Sequence, residues 1–136
     1  MEPITLAGCI IIDEYDRLLL LHRGVGERTQ WELPGGKVEE DEALEHAAIR
    51  ELHESLGVNV RLIRQAGMAT FEQAGQLYQY HWFEAKIVFG EPTVMELNRH
   101  DDFDYFDIED MASLSLSLNM YELLDRILSG EVVLAA

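Results

Sequence analysis

The chain has 136 residues, with 10 Lys and Arg against 26 Asp and Glu and a formal net charge of −16. Its length allows one domain, and 48% apolar content with three prolines excludes disordered and low-complexity classes. That much negative charge repels phosphate backbones and anionic lipid, so neither a nucleic acid duplex nor a membrane is an expected partner.

Residues 4–12 form a short apolar run, ended by the polar turn Asp13-Glu14-Tyr15-Asp16, and residues 17–22 form a second. Both read as buried strands. The first run holds Leu6-Ala7-Gly8-Cys9, which matches a lipidation tetrapeptide. Five residues precede it, and Glu2 is their only charge, so no secretory leader is expected. No apolar run nears the ~18 residues a membrane span needs. A lone cysteine, Cys9, fits a reducing compartment, and the expected location is cytoplasmic.

Residues 24–30 read as a polar loop. Trp31-Glu32-Leu33 then enters Pro34-Gly35-Gly36, expected to be a sharp turn. Residues 41–56 predict a helix capped by Asp41 and stopped by Gly57, with Ile49, Leu52 and Leu56 facing the core. Residues 58–70 and 77–89 predict long strands around Gln73-Ala74-Gly75. On the second, Tyr78, Tyr80 and Trp82 alternate with Gln79, His81 and Phe83, a pattern that more often packs a core than stacks a nucleobase. A Gly90-Glu91-Pro92 turn, a charged loop over 96–102 and a short strand over 103–106 follow. Residues 119–129 predict an amphipathic helix with Tyr121, Leu124 and Leu128 on one side, opened by an Asn119–Glu122 capping box. Strands around one long and one terminal helix give a layered α/β sandwich.

Gly36 to Val58 carries the chemistry. Glu51 and Glu54 lie three apart, so their carboxylates project from one helix face. Two unpaired carboxylates repel each other without structural gain, and Mg²⁺, a hard cation held by one or two carboxylates plus substrate phosphates, offsets that repulsion. Arg50, two turns after Glu42, is placed to bridge to that carboxylate or to the preceding loop. The five histidines have no zinc-like spacing, and no serine sits in a Gly-x-Ser-x-Gly elbow.

This stretch resembles the box of the Nudix hydrolases, G-x5-E-x7-R-E-U-x-E-E-x-G-U with U a bulky aliphatic residue. Gly36, Glu42, Arg50, Glu51, Leu52, Glu54, Gly57 and Val58 match, and Ser55 departs where the family has its last glutamate. The approach Trp31-Glu32-Leu33-Pro34-Gly35-Gly36 is also similar to the family's. The resemblance spans nearly the whole chain. It implies one domain over residues 1–136 with the box at 36–58, and an α/β/α sandwich with a mixed central sheet, a catalytic helix and a C-terminal helix. It further implies a Mg²⁺-dependent pyrophosphohydrolase, with Mn²⁺ as a substitute, cleaving the diphosphate of a small nucleotide or nucleoside diphosphate derivative. MutT-like triphosphatases are the nearest type, and a monomer or homodimer is expected. A nucleotide-binding or regulatory module with catalysis weakened by Ser55 is the alternative.

By the same resemblance Glu51 and Glu54 hold metal with the Gly35 carbonyl, while Glu42 and Arg50 brace the loop and helix. Glu51 is the first choice for general base and a loop acid the second. Glu96, six residues after Gly90, is the expected loop ligand, with Asp101 and Asp102 as competitors. Arg23 and Lys37 match phosphate-contacting positions, and Asn119 a base-contacting one that also suits a helix cap. A serine hydroxyl touches Mg²⁺ only weakly or through water, so Ser55 implies fewer metals or a higher Mg²⁺ requirement.

Overall fold

The run Leu18-Leu19-Leu20-Leu21 is apolar throughout because it is buried on both faces, two residues toward each of two helical layers. The computed structural model describes residues 2–24 and 29–134, so residues 25–28, the centre of the expected 24–30 loop, lie outside the described residues. In chain order come β1 (Ile4–Ile11), β2 (Leu18–Arg23), β3 (Gln30–Glu32), β4 (Gly35–Lys37), α1 (Leu44–Leu56), β5 (Asn59–Gln73), β6 (Gln76–Phe89), β7 (Asp102–Phe106), α2 (Ile108–Met111) and α3 (Leu118–Leu128).

The expected mixed sheet is present, joined by a second one. Four strands run in the order β4-β1-β6-β5, with β1 parallel to β6 and the other pairs antiparallel. Three more, β3-β2-β7, form an antiparallel sheet. The chain passes between them at the Ile12–Leu18 bridge, across a turn in which the Asp13 carboxylate accepts the Tyr15 and Arg17 amides at 2.9 Å.

Strand alternation sorts the core into two halves. Ala7, Cys9, Ile11, Leu19, Leu21 and Phe83 face α1, whereas Ile10, Leu18, Leu20, Tyr80 and Trp82 face α3. Tyr80 and Trp82 are core residues, and half-buried Tyr78 stacks on Phe71 with ring centroids 5.6 Å apart. Burial lifts the Cys9 thiol to about 12, which leaves it an inert packing group.

Three expectations at the helices are corrected. α1 starts at Leu44, and Asp41 does not cap it but takes a left-handed conformation at φ 63°. The reason is Glu42, whose carboxylate accepts the Glu39 amide at 3.0 Å and keeps residues 39–42 looped outside the helix. Ile49 is exposed, because Ala47 and Ala48 complete the buried stripe with Leu52 and Leu56. On α3 the buried face is Met120, Leu123 and Leu124, with Tyr121 and Leu128 exposed. Gly57 ends α1 in the left-handed conformation as expected, at φ 70°. No helix among the described residues is long and apolar enough to cross a membrane.

Candidate active site

The chain bends at Pro34 as expected, but the turn does not extend through the glycines. Gly35 and Gly36 lie in β4, paired with Gly8 and Ala7 of β1. They are small because of what crowds them. A Cβ on Gly36 would stand 2.5 Å from the Glu51 carboxyl carbon, and one on Gly35 would stand 2.5 Å from the Ala7 carbonyl oxygen. The strand therefore delivers its backbone directly against the acidic face of α1.

Arg50 organises that face. Its guanidinium has five N–H groups, and the structure engages all five. Nε donates to Glu42 Oε2 at 2.8 Å and Nη2 to Glu42 Oε1 at 3.0 Å, a bidentate pair. The second Nη2 proton goes to the Lys37 carbonyl at 3.0 Å, which ties β4 to the helix. Nη1 reaches Glu51 Oε1 and Glu54 Oε2, both at 3.1 Å. Glu42 is engaged in turn by the Glu39 amide and by His46 Nδ1 at 2.7 Å. The Arg50 hydrogen bonds hold the Glu42 carboxyl down at about 2, and Glu42 raises the guanidinium further above its ordinary value.

The expected pair of unpaired carboxylates is thus a pair sharing one arginine. Each gives one oxygen to Arg50, and Glu51 Oε2 and Glu54 Oε1 accept no hydrogen bond from the described residues. Glu51 is 6% exposed, and desolvation raises its carboxyl against the opposing pull of Arg50. Glu54 lies open to solvent. Among the described residues no three acidic, His or Cys side chains converge as a ready cage for an ion. Two free oxygens on adjacent carboxylates instead fit Mg²⁺ of the kind that completes its shell with water and phosphate.

Ser55 lies inside the helix packing. Its side chain is buried, and its hydroxyl donates to the Glu51 carbonyl at 2.7 Å, so its proton is taken by the helix backbone. The Ser55 carbonyl accepts the Met95 amide at 3.0 Å, and the Leu56 carbonyl accepts Thr93 at 2.9 Å. These bonds seat the 93–100 loop on the C-terminal end of α1, immediately before Glu96. Glu96 Oε1 lies 3.4 Å from Arg99 Nη1. Its two competitors are engaged elsewhere, Asp101 by His22 Nδ1 at 2.6 Å and Asp102 by the Phe103 amide at 2.8 Å.

The expected substrate contacts divide. Lys37 is exposed at the end of β4. Arg23 is held by Glu32 Oε1 at 2.9 Å through both Nε and Nη2. The same oxygen meets His100 Nε2 at 2.8 Å. Desolvation raises the Glu32 carboxyl, but the His100 hydrogen bond and the Arg23 charge outweigh it and leave it lowered. Ser117, not Asn119, caps α3 by accepting the Met120 amide at 3.4 Å, because Trp31 and Ser117 share a backbone hydrogen bond that stops the chain in extended form one residue before the helix. Asn119 Oδ1 is left buried without a hydrogen-bond partner. Sequence reading missed Glu32, His100 and Arg99. Glu32 lies far from the other two in the chain, and β2 pairing with both β3 and β7 brings it to His100.

The residue pattern of the NUDIX domain matches residues 3–127. The chain is 37% identical over 100 residues to the oxidized purine nucleoside triphosphate hydrolase of Mus musculus, covering 71% of this chain and 64% of the mouse protein. It is 35% identical over 108 residues to the protein of the same name from Danio rerio, covering 76% and 69%. Among solved structures, a MutT NUDIX hydrolase from Burkholderia pseudomallei superposes with a TM-score of 0.84 at 28% identity, covering 93% of this chain and 99% of that one. The matched stretch of the mouse protein is therefore just under two thirds of its length. With its box folded onto a glycine strand and an arginine-bound acidic helix, the chain belongs to the Nudix family, in its MutT-like branch.

Proposed function

We propose that this chain is a Mg²⁺-dependent pyrophosphohydrolase of nucleotides, cleaving the diphosphate linkage of a nucleoside triphosphate. Residues 1–136 act as one domain. The observation that carries the reading is the complete engagement of Arg50, which aligns Glu51 and Glu54 while leaving each an unbonded oxygen. An arginine with no donor left does not bind substrate. It sets the geometry of the acids that do the chemistry.

Glu51, Glu54, the Gly35 carbonyl and Glu96 hold the metal, which when bound neutralises phosphate charge and polarises the reacting P–O bond. Glu51 is the general base, since it is the most buried acid of the group and lies against the β4 backbone. Glu42 and Arg50 fix the loop before the helix. Arg23 and Lys37 meet the phosphates. Asn119 meets the base, a role supported by its buried, unpartnered Oδ1 in the first turn of α3. The substrate names printed for the mouse and zebrafish relatives support a purine nucleoside triphosphate as the first compound to try.

The test is turnover of nucleoside triphosphates, nucleotide sugars, ADP-ribose and dinucleoside polyphosphates with Mg²⁺ or Mn²⁺, beside Glu54→Gln. Turnover of a triphosphate that falls at least about tenfold in the variant is expected. Activity that survives the substitution places the chemistry elsewhere, and a wild-type protein that binds nucleotides without turnover is a binding module.

A further inference from the structure

Among the described residues, the arginines around the acidic pair differ in how many donors the fold has already engaged. Arg50 has every donor occupied, and Arg23 is held twice by Glu32. Arg99 is different. Among the described residues its guanidinium has a single ion pair, a long one of 3.4 Å to Glu96, and its side chain is 39% exposed. Its charge also acts on the Glu51 carboxylate, from the loop rather than from α1.

Arg99 is also firmly based. The amides of Arg99 and His100 both donate to the Glu96 carbonyl at 2.9 Å, closing a tight turn. The turn is pinned before by Met95 on the Ser55 carbonyl and after by buried His100 on Glu32. A guanidinium on such a turn, beside two acids proposed to carry metal, is a fixed cation with four N–H groups to offer. Ser55 adds the second half of the case. Its buried hydroxyl leaves the helix one carboxylate short of the Nudix box, so less metal charge is available to offset the phosphates. A protein of net charge −16 has particular need of a placed cation there.

We infer that Arg99 is a substrate-contacting residue, its guanidinium binding the polyphosphate of a nucleotide held at the Glu51–Glu54 face of α1. This rests on the proposed nucleotide chemistry of the site. Phosphate oxygens suit its planar fork, and the exchange from one long contact with Glu96 to charge-assisted bonds with phosphate is favourable.

The decisive experiment measures three quantities on wild type, Arg99→Ala and Arg99→Lys. They are KM and kcat for the best triphosphate, the calorimetric Kd for a non-hydrolysable nucleoside triphosphate with Mg²⁺, and the Mn²⁺ affinity without nucleotide by electron paramagnetic resonance. The expected result is KM and Kd about tenfold to a hundredfold higher in Arg99→Ala, partial recovery in Arg99→Lys, and Mn²⁺ affinity unchanged or tighter. Unchanged Kd overturns the assignment. So does weakened Mn²⁺ binding, which would make Arg99 a positioning residue acting through Glu96. Failure of wild type to turn over any nucleotide defeats the proposed function instead, and the calorimetric comparison then decides Arg99 by itself.

Discussion

Arg50 illustrates how much one side chain can fix. Lysine carries the same charge, but its three donors radiate from a point and cannot grip Glu42 with two bonds while bridging Glu51 and Glu54. Arg50→Lys is expected to lower kcat about a hundredfold in steady-state assays, because displacement of reacting groups by about 1 Å costs that much. Ser55 makes the opposite case. Its hydroxyl bonds the Glu51 carbonyl inside the helix, so Ser55→Ala is expected to leave the Mg²⁺ concentration for half-maximal rate within about twofold of wild type. A urea melt of the same variant should stay within about 1 kcal/mol. A large rise in the Mg²⁺ requirement would show the hydroxyl at the metal after all.

At the level of elements, what the sequence made legible and what it hid have separate causes. The long hairpin, the two N-terminal strands and the Gly57 stop could be read because each depends on local pattern, either alternation or one residue's φ. Helix starts were misread at both helices, and at both the cause is non-local. Glu42 is withdrawn from α1 by Arg50 two turns later, and Ser117 becomes the α3 cap because Trp31 pairs with the segment ahead of it. The buried stripe of α1 shifted because two alanines, small enough for close approach to β1, displaced Ile49. Within the site, the box residues could be picked out by spacing, but the sharing of Glu51 and Glu54 by one arginine could not. The α3 result is directly testable. Ser117→Ala should cost about 0.5–1 kcal/mol in a denaturant melt, as for a capping serine with a long bond. Asn119→Ala removes an acceptor that has no donor in the fold, so its melt should be unchanged while nucleotide KM rises. Equal destabilisation by the two would return the cap to Asn119.

For the molecule as a whole, charge acts at two ranges, and acid separates them. The −16 net charge is a long-range repulsion that falls as carboxylates protonate and that 1 M salt, with a Debye length of about 3 Å, removes. The Glu42–Arg50 pair is a contact at 2.8 Å, which salt screens far less. Its sign follows from the lowered Glu42 carboxyl. With a folded value of about 2 against about 4.3 for an ordinary glutamate, the pair's contribution is complete above the ordinary value and disappears as pH falls toward 2. Asp13 and Glu32, also lowered, act in the same direction. Glu51 is raised, so its contribution runs oppositely, present in acid and lost as pH rises through its folded value. Glu42 carries the large shift of the four, so stability is lost on balance in acid. Wild-type urea midpoints are therefore expected to rise with salt at pH 7.5 and to fall between pH 4.5 and 2 even in 1 M NaCl. In Glu42→Gln the pH 7.5 salt response should persist while the acid fall becomes shallower. An acid limb of the same slope in the variant would mean that the Arg50 cluster does not hold the loop–helix junction together.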